Sequence, residues 1–341
     1  ALLMVSFWLV AEHHGGFITA GNKILAARPE LFSRPGGEGR YTVGIWFSYM
    51  MLWFLCDPMF PQLFQRFYAA GNRRVLGVTM IFYPLVCTVV FFLPVIIGMM
   101  GRLSFPALAG KEADKILPLV VSSISGDAMA ALVMAAGLAA LMSTMDSQLL
   151  TLSSIITRDI LPKRQGPEKR QAAQGRIFVL LLSAAGLALA LKPPATILQI
   201  ATQTFTGLAG LFPTVIFGLY LNRRFAISAA VSIIAGESSV AAFYLDLIPA
   251  DPFLPIVWVA AVSFGGYMIP HLILLKCKGI FRLRVPIFIK NPFFYIFSGI
   301  FVLSIDFWAW NRSTPLLLGL PVWLPYFILL SAAQTVAMIL L

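Results

Sequence analysis

Polar and apolar positions alternate coarsely along this chain, in long apolar runs separated by short polar, charged or Pro/Gly-containing segments. A helix needs roughly 20 apolar residues to cross the hydrocarbon core of a bilayer. Ten windows meet that length: 1–19, 42–69, 76–101, 126–157, 176–192, 197–221, 226–246, 253–275, 291–310 and 314–341. The two-residue alternation of a barrel wall is absent. The pattern therefore predicts an all-α polytopic membrane protein, whose helices satisfy their own backbone groups in lipid. The chain opens on Ala1, already inside an apolar run and with no initiator methionine. The expectation is a fragment that lacks an N-terminal part.

Two windows are interrupted. In "MMLWFLCDPMFPQLFQRFYAA" (Met50–Ala70), Pro58 and Pro61 each remove a backbone donor and clash with the preceding turn. Broken helices at membrane depth are tolerated where they line a cavity, and in transporters such breaks commonly form the substrate site. In "ATQTFTGLAGLFPTVIFG" (Ala201–Gly218), Thr202, Gln203, Thr204 and Thr206 precede Gly207, Gly210 and Pro213. Two readings of this second segment stand side by side: close helix packing with interhelical hydroxyl bonds, and a solute-lining wall.

A third run is polar in its middle. In "ALMSTMDSQLL" (Ala140–Leu150), a helix advancing ~100° per residue gathers Ala140, Ser143, Thr144 and Ser147 into one quadrant, flanked by Asp146. A lone serine in a span commonly bonds back to the carbonyl one turn earlier. Adjacent hydroxyls with a carboxylate beside them point further, because hard cations prefer oxygen ligands and an ionisable group in a span marks function.

Composition agrees with the pattern. The 341 residues are 59% hydrophobic and only 11% charged, with mean hydropathy +0.87, more apolar than a soluble domain tolerates. The net charge of +11 suggests nucleic acid until its distribution is examined. With window 1–19 running outward and the rest alternating, cytoplasmic segments hold sixteen of the 25 Lys and Arg. They include the linker Arg158–Arg176 and the basic loop Lys276–Asn291, as the positive-inside rule requires. The charge thus describes membrane topology, not a nucleic-acid surface. The first external loop, with Lys23, Arg28, Arg34 and Arg40, is unusually basic for that side. Cys56, Cys87 and Cys277 suggest neither a disulfide framework nor a metal cluster.

Three stretches resemble the sodium/solute symporters, the family of bacterial proline, pantothenate, sugar and sialic acid carriers. Ala139–Leu161 is similar to the family's sodium-site helix, including a Ser-Ser…Asp end at Ser153–Asp159 that differs by one position in spacing. "FPQLFQRFYAA" (Phe60–Ala70) is similar to its Pro-x-x-x-Gln-Arg-x-x-Ala-Ala segment. The order of helices from 42–69 through 226–246 also fits. The resemblance implies a LeuT-type core of two inverted five-helix repeats. Residues 1–19 would be the last helix of the first repeat, 42–221 the whole second repeat, and 226–341 peripheral helices. The first four core helices would be missing, among them the discontinuous helix whose carbonyls complete the sodium site.

Residue by residue, the resemblance implies a principal sodium site using the Ala140 carbonyl and the Ser143 and Thr144 hydroxyls. A second ion in some members would use Ser143, Asp146 and Ser147. The family usually has hydroxyls there, so Asp146 is a departure, open to an ion-binding or a structural role. The family's solute-facing positions match Trp53 and Asp57 on the broken helix; Phe60 beside them, and Gln203 and Thr206 of the second interrupted segment, are further candidates to meet the solute. Aromatic residues are usual at the first two positions in proline carriers, so Asp57 argues against assuming proline. The expected function is secondary active transport in a prokaryotic plasma membrane, with sodium driving uptake of a small organic solute by alternating access and no enzymatic step. The alternative is a symporter-like sensor domain serving an attached kinase. Glu237, beside Gly236 within a span, reads as structural or as facing a helix interface.

Overall fold

The computed structural model describes residues 2–161, 168–221, 223–279 and 291–340. Lys163, Arg164, Arg282, Arg284 and Lys290, assigned above to the cytoplasmic side, lie outside the described residues. Fourteen α-helices carry the described chain: α1 Leu2–His13, α2 Phe17–Ala27, α3 Val43–Cys56, α4 Pro61–Ala69, α5 Arg73–Ser104, α6 Ile116–Ile124, α7 Asp127–Ile155, α8 Glu168–Leu191, α9 Ile197–Gly210, α10 Phe212–Tyr220, α11 Ala226–Tyr244, α12 Pro255–Cys277, α13 Pro292–Leu303 and α14 Trp323–Leu340. Eight helical stretches are long and apolar enough to cross a membrane, and the bent pair α3–α4 makes a ninth. The protein is a polytopic helical membrane protein.

Two windows differ from expectation. Residues 1–19 are not one span: α1 ends at His13, and α2 starts at Phe17 after Gly15 and Gly16, whose φ angles of 88° and 94° only glycine adopts freely. The window 314–341 opens as a two-stranded hairpin, β1 Leu316–Leu317 against β2 Leu320–Pro321, before α14 begins. Its turn residues Leu318 and Gly319 both have positive φ, the geometry that matches the twist of paired strands.

Local signals set the helix ends. Thr42 accepts from the Ile45 amide at 3.3 Å and Asn72 from Val75 at 2.9 Å, while Thr196 and Gln199 close a reciprocal capping box that satisfies orphan amides. Two apolar cores result. One joins Val10, Ile24, Phe32, Ile97, Met100, Val120 and Leu324. The other joins Leu52, Leu55 and Cys56 of α3 to Ala209 of α9 and to Ile256 and Ala260 of α12.

Small residues let α9, α11 and α12 approach closely. A Cβ on Gly266 would stand 3.2 Å from the Ser232 Cα. The Ser232 hydroxyl donates to the Ser263 carbonyl at 2.9 Å, and the Ser263 hydroxyl donates to the carbonyl of Gly210, where α9 breaks into α10. The break itself follows from Pro213, which has no amide to give the preceding turn. Glu237 lies against the glycine face of α9, its carboxylate oxygens 3.7 Å from where Cβ atoms on Gly207 and Gly210 would stand. It faces a helix interface.

A buried ion pair closes the end of the molecule that carries the hairpin. Arg34 and Asp306 are 4% and 1% exposed, with Nη1 donating to Oδ1 at 2.6 Å and Nη2 to Oδ2. The guanidinium carbon lies 4.7 Å from the Trp46 ring centre, 4.8 Å from Trp323, 5.2 Å from Trp310 and 5.9 Å from Phe327. The loop after α2 is thereby locked to α3, α13 and α14.

Candidate functional site

The bend in the first interrupted window falls where its prolines require. After α3, Asp57–Met59 form one 3-10 turn and α4 starts at Pro61, with the two helices at 52°. Phe60 is extended, with φ −63° and ψ 117°, as a residue before proline must be. Pro61 occupies the first position of α4, where its missing amide costs nothing.

Aromatic rings collect around this bend. The rings of Trp53 and Phe60 both meet Phe205 of α9 edge-on, at 5.3 Å and 5.1 Å between centres. Trp53 keeps 42% of its surface exposed, and Asp57 is half-buried beside the Cys56 thiol, 3.9 Å away. The structure thus joins Trp53, Phe60 and the α9 segment through Phe205, a residue the sequence reading passed over as one more apolar position. Thr206 is buried and donates to the Thr202 carbonyl at 2.7 Å, whereas Gln203 is exposed. Among the described residues, no hydrogen bond ties either of them to Trp53, Asp57 or Phe60.

The polar stripe lies on α7 as the periodicity requires. Ala140, Ser143, Thr144 and Asp146 are exposed and Ser147 is half-buried. Thr144 donates to the Ala140 carbonyl at 3.4 Å and Ser147 to the Ser143 carbonyl at 3.1 Å. Back-bonding uses a hydroxyl's one proton; its lone pairs stay available. The stripe also runs one turn beyond the sequence reading, to Thr151, which is 5% exposed.

That extra turn is where the two quoted motifs meet. The Thr151 hydroxyl donates to Gln65 Oε1 at 3.1 Å, and Arg66 Nη2 donates to Ser147 Oγ at 3.4 Å. Gln65 and Arg66 are the Gln-Arg pair of the α4 motif. Neither residue carries a functional assignment from sequence alone. The available signal was the i+4 step from Ser147 to Thr151.

At its C-terminal end α7 passes into a π-helical turn at Ile156–Ile160, where the Leu161 amide reaches back five residues to the Ile156 carbonyl at 2.9 Å. A π turn holds one residue more than an α turn needs, and such turns recur at functional sites.

The arrangement supplies neutral oxygens along one face of α7, a bent aromatic segment with an acid at its vertex, and direct bonds between the two. A model of the Sodium:solute symporter family matches residues 1–236. The chain is 28% identical over 230 residues to a sodium/pantothenate symporter of Haemophilus influenzae, covering 66% of this chain and 47% of that protein. It is 35% identical over 150 residues to a sodium/proline symporter of Staphylococcus aureus, covering 40% of this chain and 29% of that protein. The matches thus span less than half the length of these relatives. No solved structure matches.

Proposed function

This chain belongs to the sodium:solute symporter family, and from that premise we propose that its gene product carries a small organic solute inward across a bacterial plasma membrane, driven by sodium and by alternating access. In this reading the fold is LeuT-type, with residues 42–221 as the second inverted repeat, 1–19 contributing the last helix of the first, and 226–341 peripheral. Sodium is held by the Ala140 carbonyl and the Ser143 and Thr144 hydroxyls. The solute sits at the bend against Trp53, Asp57 and Phe60, with Gln203 and Thr206 on the neighbouring wall.

The observation that carries the reading is the contact of α4 with the hydroxyl stripe of α7. Ion ligands and solute ligands on separate, unconnected helices would bind independently. Here the inner half of the bent span is bonded to the helix that offers the oxygens. The relatives named above are symporters of pantothenate and of proline. A carboxylate at Asp57 favours a solute that presents an ammonium or another hydrogen-bond donor to the vertex of the bend.

The test is uptake by the complete gene product in proteoliposomes, screening amino acids, amines and small carboxylates with an imposed sodium gradient. Accumulation that needs an inward sodium gradient and collapses with it is the expected result. Uptake indifferent to sodium, or driven equally by protons alone, would overturn the reading.

A further inference from the structure

The bent span is held by two different sets of neighbours. Its outer half, α3, is fixed to the segment before α12 and to α13. The Ser48 hydroxyl accepts from the Leu254 amide at 3.0 Å, and a Cβ on Gly44 would stand 2.6 Å from the Pro252 carbonyl oxygen. Phe47 meets Phe253 and Phe301 edge-on at 6.3 Å and 6.5 Å. Trp46 donates to the Ser304 carbonyl at 3.4 Å and forms one wall of the Arg34 cage.

The inner half, α4, is held otherwise. It has no buried residue of its own, and among the described residues its side-chain hydrogen bonds go to α7, from Arg66 to Ser147 and to Gln65 from Thr151. The Thr151 hydroxyl is buried, so its bond to Gln65 is hard to exchange for water. Only the turn Asp57–Phe60 joins the halves covalently, and Asp57 and Phe60 are themselves assigned to the solute.

We propose that Gln65 is a positioning residue that transmits sodium occupancy to the solute site. Through Thr151 it makes α4 follow α7 while α3 stays with the α12–α14 side, so a shift of α7 on ion binding changes the bend at Asp57–Phe60. Arg66 reinforces the link one turn earlier on the same stripe. The proposal deepens the transport reading and rests on it.

Cys56 is a native reporter for the bend, being fully buried and adjacent to Asp57. In the complete gene product carrying Cys87→Ser and Cys277→Ser, the alkylation rate of Cys56 by a membrane-permeant maleimide is measured with and without sodium, beside sodium-dependent uptake. Sodium is expected to change the rate. Thr151→Val and Gln65→Met, which keep volume and lose the bond, should each flatten that response and raise the sodium needed for half-maximal uptake about three- to tenfold. Thr151→Ser and Gln65→Glu retain donor and acceptor and should restore both readouts, and the Val/Met double variant should be no worse than either single one.

A full sodium response of Cys56 in Thr151→Val, or additive losses in the double variant, would overturn the positioning role and leave the transport reading intact. A parent protein in which sodium affects neither Cys56 nor uptake would instead overturn the transport reading, and the positioning role with it.

Discussion

A hydroxyl on a membrane helix has one proton and two lone pairs, and α7 uses the difference. Thr144 gives its proton to the Ala140 carbonyl and Ser147 to the Ser143 carbonyl, which orients both oxygens and leaves Thr144 both lone pairs and Ser147 one, the other accepting from Arg66. Removing one such oxygen leaves the apolar framework in place. Ser143→Ala and Thr144→Ala should each raise the sodium requirement of uptake about fivefold to a hundredfold, from roughly 1–3 kcal/mol for a lost polar contact to a charged group, with unchanged yield of folded protein. A Ser143/Thr144 double variant with normal sodium dependence would remove the stripe from ion binding. Asp57→Asn should raise the solute half-saturation constant about tenfold or more, by loss of a charge-assisted bond, and affect sodium less. Trp53→Ala should raise it through lost stacking area. Residues of the stripe were legible because four polar positions at helical spacing stand out in an apolar run. Phe205 was not, since an aromatic residue in such a run has no local mark, and only the fold puts it between Trp53 and Phe60.

Helix breaks carry most of the information at the next scale up. Proline announced the bend at Asp57–Phe60 and the break at Leu211, and both appear where the missing amides require. Two other interruptions were hidden in apolar averages. "HHGG" at 13–16 lay inside a window hydrophobic enough to pass as one span, and "LLLGLP" at 316–321 reads as apolar although its strands turn through Leu318 and Gly319. The Arg34–Asp306 pair was invisible for another reason, because its partners are 272 residues apart in sequence. Breaking a buried pair strands a charge, at roughly 3–5 kcal/mol. Arg34→Met and Asp306→Leu should each lower the melting temperature in detergent, and Arg34→Lys should fail to rescue, because an ammonium lacks the planar fork that fits carboxylate and rings together. The Met/Leu double variant should recover much of the loss, since apolar replacement of a whole buried pair is often neutral. A double variant as unstable as Arg34→Met alone would assign the stability to the aromatic cage instead.

For the whole molecule, hydropathy gave the helix windows and the Lys/Arg asymmetry gave a direction. The basic first external loop strained that direction. Three of its four basic residues have partners within the fold: Arg34 pairs with Asp306, Lys23 donates to the His14 carbonyl at 2.9 Å, and Arg28 lies 4.0 Å from Glu30. Cys277, exposed at the end of α12 between Lys276 and Lys278, gives the check. A membrane-impermeant thiol reagent should label it in inverted vesicles and not in intact cells, and labelling of intact cells would reverse every helix. What no window could supply was the pairing of helices, which depends on small residues and hydroxyls such as Ser232, Ser263 and Gly266 meeting across α11 and α12.

The distance between Arg34 and Asp306 along the chain also sets a clock. Ribosomes add about 5–20 residues per second, so the 272 residues between them take roughly 15–55 s to make. Throughout that interval Arg34 is without its counter-charge, and Trp46 waits for Trp310 and Trp323. Closure of this end of the protein therefore waits until α13 has been made. Chains arrested before α13 should be cut at the Arg34–Pro35 bond by external clostripain, an arginine-specific protease that accepts a following proline, and released full-length chains should resist at that bond.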